Sequence, residues 1–250
     1  VVLLNPLRTK RFAEEDMRRA KTDALDALGI ARFAQQKRPA PTVLPDAATR
    51  ELRELMTLRD RLMQDLGDRT RQLHRAIDLT FPEFTQHVRY ACEDISTLRA
   101  RIKKLDDDIG QSLKRHEVGT LLTTIEGVGG NTAARMIATI DFDAFRTEKQ
   151  LAAYVGVAPM VRHSGKRTPR SAPSCTMGNA TLRAKLWMPT LRAVTKNTWL
   201  KSFYDRLVAQ GKPKKLAMVA AMRKLLGAML SVAKHRTPFV PRLVQAGENA

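Results

Sequence analysis

The middle of the chain contains two long stretches in which leucine and isoleucine recur at steps of three and four. The first runs from about Asp46 to Leu79, with leucines on one side at positions 52, 55, 58, 62, 66 and 73. The second, from about Thr85 to Lys114, carries the a/d seam of a coiled coil at Ile95, Leu98, Ile102, Leu105 and Ile109. Only a short FPEF break separates them, so we predict an antiparallel helical hairpin. A coiled coil and an ordinary bundle hairpin both fit this pattern.

The N-terminal part has a different pattern. Val1–Leu4 is a short apolar run closed by Asn5-Pro6, which predicts a strand ending in a turn. From about Arg18 to Gln36 small apolar residues and Leu28 recur at helical spacing, which predicts a helix. Prolines 39 and 41 then begin a linker, PAPTVLPD.

After Gly119 the pattern changes to shorter elements. LLTTIEGVGGNTAARMIATI predicts a helix, a glycine turn and a second helix, and residues 151–157 form another short apolar segment. Further helices are predicted at about Ala180–Lys196, Trp199–Gln210 and Lys215–Lys234. The aromatic residues of these helices fall at helical spacing, which favours core positions over a base-stacking surface; they are Trp187, Trp199, Phe203 and Tyr204.

The distribution of charge indicates that this helical protein binds a polyanion. The formal net charge is +19, and seventeen lysines and arginines but only one acid, Asp205, lie between Val161 and Arg236. Such a concentration favours DNA or RNA as partner. The 2 cysteines indicate neither a disulfide framework nor a zinc cluster and fit a reducing cytoplasm. We find no apolar run long enough to span a bilayer. Since the chain does not open with Met, we expect a fragment that lacks its N-terminal part.

The candidate nucleophile is Ser164, which is followed by Gly165. An exposed serine among cationic side chains could attack a phosphodiester while those side chains stabilise the developing charge; they are Arg162, Lys166, Arg167 and Arg170. A flexible Ser-Gly turn is the plain alternative. Ser171 and Ser174 are competing serines, and His163 is a weak candidate for the general base.

Two further segments could contact phosphates. Gly127 and Gly129 resemble the turn of a helix-hairpin-helix, where the backbone approaches a phosphate and the next helix presents free N–H groups. A tight turn between helices is the alternative. Asn179 and Arg183, at a predicted helix start, could also bind phosphates or could belong to an ordinary helix start.

Asp23 and Asp26 lie three residues apart on one face of a predicted helix start. Carboxylates at this spacing can ligate a divalent cation, and Mg²⁺ prefers such oxygen ligands. On spacing alone the opposite interpretation is favoured, in which the acids stabilise the helix macrodipole and Thr22 is the N-cap.

Together these segments resemble one family, the insertion-sequence transposases called family one-ten, serine-dependent DEDD recombinases that include the Piv-type DNA invertases. The matching stretches follow the family's order over nearly the whole chain: LLNPLRTKRFAEEDMRRAKTDALDA, the leucine-rich hairpin, IEGVGGNTAARMIATIDFDAFRTEKQLAAYVGVAP, and HSGKRTPR with MGNATLRAKLW. The resemblance implies a RuvC-like domain that binds Mg²⁺ through four acids, with Asp23 and Asp26 as the last two. It also implies that Ser164 forms a phosphoserine link to DNA. The family's first Asp and its Glu would precede Val1.

The resulting expectation is a mostly α protein. It comprises a remnant of an α/β RuvC-like domain (1–40), a coiled-coil hairpin (41–118) and a helical C-terminal transposase domain with a helix-hairpin-helix-like element (119–250). We expect a DNA transposase that exchanges strands through a serine–DNA intermediate with Mg²⁺. Its expected partners are DNA, a non-coding bridge RNA and further copies in a homodimer or homotetramer, in the bacterial cytoplasm at the nucleoid and without a membrane. The alternative is a truncated, non-catalytic DNA- or RNA-binding remnant.

Overall fold

The structure is a computed structural model that describes residues 2, 4, 6–15, 22–77, 84–159 and 178–241. The chain divides into two compact units, Val1–Asp46 and Ala47–Ala250. Every regular secondary-structure element in these ranges is a helix. The mostly α prediction is therefore confirmed, whereas the β-sheet of a RuvC-like domain is not seen in the described part of the chain.

The first unit is built from two helices, α1 (Pro6–Glu14) and α2 (Asp23–Lys37). Phe33 of α2 is 3% exposed and meets the Phe12 ring edge-on, with 5.4 Å between the ring centroids. We did not predict α1, because we interpreted Pro6 as part of a turn. Proline is well tolerated at the first position of a helix, where its missing N–H has no intrahelical partner. Val2 and Leu4 of the predicted strand lie outside regular secondary structure.

The second unit begins with the predicted hairpin, formed by α3 (Ala47–Ile77) and α4 (Phe84–Lys114). Salt bridges fix its direction, since Arg115 pairs with Glu51 whereas Asp106 pairs with Arg59, further along α3. The pairs run in opposite chain directions, so the helices are antiparallel. Four of the five predicted seam positions of α4 are buried, namely Ile95, Ile102, Leu105 and Ile109, whereas Leu98 is half-buried.

The predicted apolar face of α3 is partly wrong. Leu52 is fully buried, but Leu58 is 47% exposed, and Met56, which the leucine pattern omits, is 3% exposed. The reason is that α3 packs against α6 (Gly130–Thr139) as well as against α4. Its buried face is therefore wider than a coiled-coil seam and rotated from the row of leucines.

Shorter helices complete the unit: α5 (Glu117–Leu122), α6, a short 3-10 helix (Phe142–Ala144), α7 (Glu148–Val155), α8 (Ala180–Lys196), α9 (Thr198–Ala209) and α10 (Lys214–His235). The last three confirm the predicted helices closely. The apolar side chains of these shorter helices join those of the hairpin in one core. The predicted division into three domains stays a prediction.

Helix α10 lies at the centre of this core, with Leu225 and Met229 fully buried. By length and composition it could cross a membrane, with a mean hydropathy of 1.6 over its most apolar window, but 61% of that window is buried inside the protein. The expectation that no apolar run reaches this length is therefore wrong. The burial is that of a core helix.

Candidate nucleic-acid interface

The predicted nucleophile and its cationic neighbours lie outside the described residues. This applies to Ser164 and to Arg162, Lys166, Arg167 and Arg170. Their roles stay predictions. The structure does describe the two positions between which this segment, 160–177, runs.

These two positions are held side by side. The amide of Asn179 donates to the carbonyl of Tyr154, with 2.8 Å between N and O. Gly178 has a φ of 121°, and a Cβ atom there would lie 2.6 Å from the backbone N of Gly156. Only glycine fits such an approach of two backbones. The described residues on either side of the Ser164 segment, at the C-terminus of α7 and the N-terminus of α8, are therefore held close together.

Two predicted phosphate ligands, Asn179 and Arg183, have structural contacts at this same place. The side-chain oxygen of Asn179 accepts from the amide of Leu182 at 2.9 Å and so caps α8. The guanidinium of Arg183 donates to the carbonyl of Val155 at 3.3 Å. These contacts join α7 to α8, and a role in nucleic-acid binding stays a prediction for both residues.

The two glycines of the turn between α5 and α6 differ in backbone conformation and in surroundings. Gly127 has a φ of 97°, and a Cβ atom there would lie 2.6 Å from Cα of Ala193 on α8. This conformation serves the packing of two backbones, as the tight-turn alternative predicts. Gly129 precedes α6 with no side-chain cap, and a Cβ atom there would meet nothing within 4 Å. Of the two, Gly129 borders open space, and phosphate contact stays a prediction for both.

Acidic residues of the hairpin bind cations of the downstream helices, an arrangement that we did not predict. Asp60 of α3 accepts two hydrogen bonds from the Arg135 guanidinium on α6, at 2.7 and 2.8 Å, and one from Lys185 of α8 at 2.9 Å. Burial alone would raise the pKa of Asp60. The hydrogen bonds and charges of Arg135 and Lys185 outweigh it and hold the pKa below its usual value.

A second aspartate makes a similar connection. Asp106 of α4 accepts from Nε of Arg59 at 2.5 Å and from the side-chain amide of Asn131 at 3.1 Å. Asn131 belongs to the first turn of α6, next to the glycine turn. We call the set Asp60, Arg135, Lys185, Asp106, Arg59 and Asn131 the acid–base junction. It fixes the glycine turn and α8 on the hairpin, and each of its three cations already contacts a carboxylate, with Arg135 and Lys185 sharing Asp60.

Other cations remain exposed on the downstream helices. Five exposed cations at the end of α8 and at the turn before α10 form none of the ion pairs found in the described ranges; they are Arg192, Lys196, Lys212, Lys214 and Lys215. Phosphates attract cations of this kind irrespective of base sequence. The surface can therefore contact a nucleic-acid backbone.

The predicted metal ligands lie in the first unit, in the first turn of α2. Asp23 and Asp26 are both exposed, and the hydroxyl of Thr22 caps the helix by accepting from the amide of Leu25 at 3.3 Å. Among the described residues no group of three or more His, Cys, Asp or Glu side chains could hold a metal ion. The local geometry is that of an ordinary N-cap, and metal binding by these carboxylates stays a prediction.

Two family models match this sequence. Residues 119–205 match a model described as "Transposase IS116/IS110/IS902 family", and residues 1–82 match a DEDD model of the same insertion-sequence group, described as "Transposase". The chain belongs to this transposase family. The resemblance inferred from the four sequence stretches is thereby confirmed. Membership implies DNA binding, and a DEDD domain implies metal-dependent catalysis in general.

Individual relatives support the assignment. The "Pilin gene-inverting protein" of Moraxella bovis is 29% identical over 248 residues, which cover 97% of this chain and 75% of the relative. Its namesake in Moraxella lacunata has the same identity and coverage. The "Insertion element IS110 uncharacterized 43.6 kDa protein" of Streptomyces coelicolor is 25% identical over 221 residues, covering 82% of this transposase chain and 51% of the relative.

Proposed function

We propose that this transposase cleaves and rejoins DNA strands through the hydroxyl of Ser164, assisted by Mg²⁺ that is bound in part by Asp23 and Asp26. The observation that carries the proposal is the placement of the two family models. One covers Asp23 and Asp26, and the other covers Ser164 together with most of the basic region. The name of the Moraxella relatives, which describes inversion of a gene, supports a reaction that rejoins strands as well as cutting them.

The proposed chemistry needs a nucleophile and a group that offsets negative charge. The Ser164 oxygen forms a bond to phosphorus, the P–O bond to one flanking sugar breaks, and the serine proton passes to the departing sugar oxygen. The nearby cations of Arg162, Lys166, Arg167 and Arg170 would hold the phosphate and stabilise the transition state. The reverse step, with a sugar hydroxyl of another strand, restores the serine and joins the strands.

The described residues supply part of a metal site. Asp23 and Asp26 present exposed carboxylates from a single helical turn, which suits a hard cation, but they amount to two ligands. They fit as members of a larger acid set completed elsewhere. A bound Mg²⁺ would act as a Lewis acid towards a phosphate oxygen.

Strand exchange requires nucleophiles on more than one strand. The antiparallel hairpin of α3 and α4 is therefore proposed as the element through which copies of the chain associate, as a homodimer or homotetramer. A non-coding RNA bound to the exposed cations is the proposed selector of the DNA sites. The proposed location is the bacterial cytoplasm, at the nucleoid.

Covalent capture tests the reaction. The full-length transposase is incubated with Mg²⁺, element-end DNA and flanking non-coding RNA, and protein–DNA adducts are separated under denaturing conditions. We expect an adduct with wild type and with the control Ser171→Ala, and none with Ser164→Ala. An adduct that survives in Ser164→Ala would assign the nucleophile to another residue. DNA binding without any adduct would favour the alternative, a non-catalytic binding protein.

A further inference from the structure

One cation on α9 and one on α10 lie over aromatic rings. Lys224 of α10 places its Nζ 4.6 Å from the ring centroid of Trp199 and 4.3 Å from that of Phe203. The guanidinium carbon of Arg206, on α9, lies 5.5 Å from the same Phe203 centroid. We call Trp199, Phe203, Arg206 and Lys224 the aromatic–cation cluster.

The cluster differs from its neighbours in having no acidic partner. Arg223, the residue before Lys224, pairs with Glu148, and Lys201 on α9 pairs with Asp205 at 3.0 Å. Neither Arg206 nor Lys224 forms an ion pair with any carboxylate in the described ranges. Two positive charges therefore share one ring without a counter-ion from the protein.

This arrangement has an electrostatic cost that an anion would remove. Burial, and then the charge of Arg206, lower the pKa of Lys224, so its charged form is disfavoured where it lies. The aromatic faces compensate only in part, since a cation–π contact contributes about 0.5–2 kcal/mol. An anion between or beside the two cations would oppose both effects.

The ordinary alternative is a packing role, in which the Lys224 stem covers the two rings and its ammonium reaches solvent. That role explains Lys224 alone. Arg206 reaches the Phe203 ring because it lies three residues further along α9, and its exposed charge is thereby placed beside Lys224 with no carboxylate of the described ranges to offset it.

We propose that the aromatic–cation cluster is a binding site for phosphodiester groups of a nucleic-acid strand. Neighbouring phosphates of a strand repeat every few ångströms, about 3.4 Å along the axis of a duplex, so one strand can supply anions to both cations. The inference rests on the proposed function only in so far as that function includes nucleic-acid binding. It does not depend on the chemistry of Ser164. DNA and RNA share the phosphodiester, and the experiment separates them.

Trp199 provides a direct readout. The chain has 2 tryptophans, so in a Trp187→Phe background all tryptophan emission comes from Trp199. We expect saturable changes in this emission on titration with duplex DNA or with single-stranded RNA, and the strand that produces the change identifies the source of the phosphate. Unchanged emission while either nucleic acid is shown to bind would overturn the proposal. So would a response to inorganic phosphate with none to either nucleic acid.

Charge-matched variants test the same site by affinity. Lys224→Met keeps the apolar stem and removes the charge, and Lys201→Met removes one charge from the neighbouring helix. We expect about tenfold weaker binding for Lys224→Met, as for loss of one charged hydrogen bond, and a salt-dependence slope lower by about 1. We expect the same loss of affinity and the same change in salt dependence for Arg206→Gln. Losses no larger than that of Lys201→Met would overturn the proposal.

These experiments distinguish an error in the proposed Ser164 reaction from an error in the proposed binding site. Ser164→Ala should keep both the Trp199 response and full affinity while forming no adduct. If adducts never form but Lys224→Met still weakens binding, the serine reaction is wrong and the cluster assignment stands. If adducts form while the Trp199 emission and the Lys224→Met affinity are unchanged, the cluster assignment is wrong.

Discussion

The acid–base junction and the aromatic–cation cluster differ in the groups that surround their cations. At the junction, Arg135 and Arg59 have side chains that are 13% and 18% exposed, and each has a carboxylate at hydrogen-bond distance. At the cluster, Lys224 and Arg206 have aromatic faces instead, and no carboxylate of the described residues pairs with them. In one region every cation contacts a carboxylate of the fold, and in the other no cation contacts a described carboxylate.

The difference indicates what each region is for. A cation matched by a carboxylate fixes the geometry between helices, and removing either partner leaves a half-buried charge uncompensated. A cation without a carboxylate contributes little to folding and is available to an external anion. The distribution of acidic partners therefore distinguishes the cations that hold helices together from those that an external anion can reach.

The largest effect on the free energy of unfolding is expected at Gly127, in the glycine turn beside the acid–base junction. Gly127→Ala forces a side chain into a φ of 97° and places Cβ 2.6 Å from the Ala193 backbone. We expect a loss of about 3 kcal/mol or more in the free energy of unfolding. Gly129→Ala is the matched control, because a Cβ there meets nothing within 4 Å. Equal losses in urea denaturation would show that the contact with α8 is not a constraint.

Removal of an acid from the junction should be the next largest effect. Asp60→Ala leaves Arg135 and Lys185 without their counter-charge, and we expect a loss of about 2 kcal/mol, less than for a fully buried pair because Asp60 is partly exposed. Asp68→Ala is the control on the same helix, since its ion pair with Arg71 is on the surface. A control that loses as much as Asp60→Ala would contradict the distinction.

Acid should weaken the junction in a defined direction. The pKa of Asp60 in the folded protein lies below its ordinary value of 3.8, so the contribution of Asp60 is complete at neutral pH. It begins to fall as the pH drops through that value and is lost below the folded pKa. The stability gap between wild type and Asp60→Asn, measured by urea denaturation, should therefore be constant near neutral pH and shrink as the pH falls below about 4. A gap that stays constant in acid as well would show that Asp60 does not titrate as proposed.

The smallest stability effect is expected at the cluster. Lys224→Met removes a half-buried charge that lies near Arg206, and this gain offsets the lost contacts with the two rings. We expect the free energy of unfolding to change by no more than about 0.5 kcal/mol. The junction counterpart, Arg135→Met, removes one charge as well but leaves Asp60 without its main partner, and should cost about 2 kcal/mol. Similar losses for both variants would remove the distinction between the two regions.

The sequence predicted the elements whose burial is periodic. The seam of α4 and the bounds of α8 followed from spacing, because each of these helices buries a continuous stripe. The prediction missed α1, since proline is equally typical of a turn and of a helix start. The exposure of Leu58 could not be foreseen, because contact of α3 with α6 depends on tertiary packing.

The site was less predictable than the fold. Asp60 and Arg135 are 75 positions apart, and on a helix surface each resembles an ordinary solvated charge. The requirement for glycine at Gly127 comes from Ala193, which no local pattern indicates. Trp199, Phe203 and Tyr204 pack against the core as predicted, whereas Trp187 is 38% exposed, so its assignment to the core was wrong. That Lys224 would approach the rings from α10 follows only from the fold.

The close approach of Gly156 and Gly178 has a consequence for which substitutions α7 and α8 tolerate. The two backbones are in contact there, and the Asn179 amide donates to the Tyr154 carbonyl at 2.8 Å. Main-chain atoms therefore set the spacing between the C-terminus of α7 and the N-terminus of α8 at this point. Exposed side chains of either helix can be exchanged without changing that spacing while the two glycines stay in place.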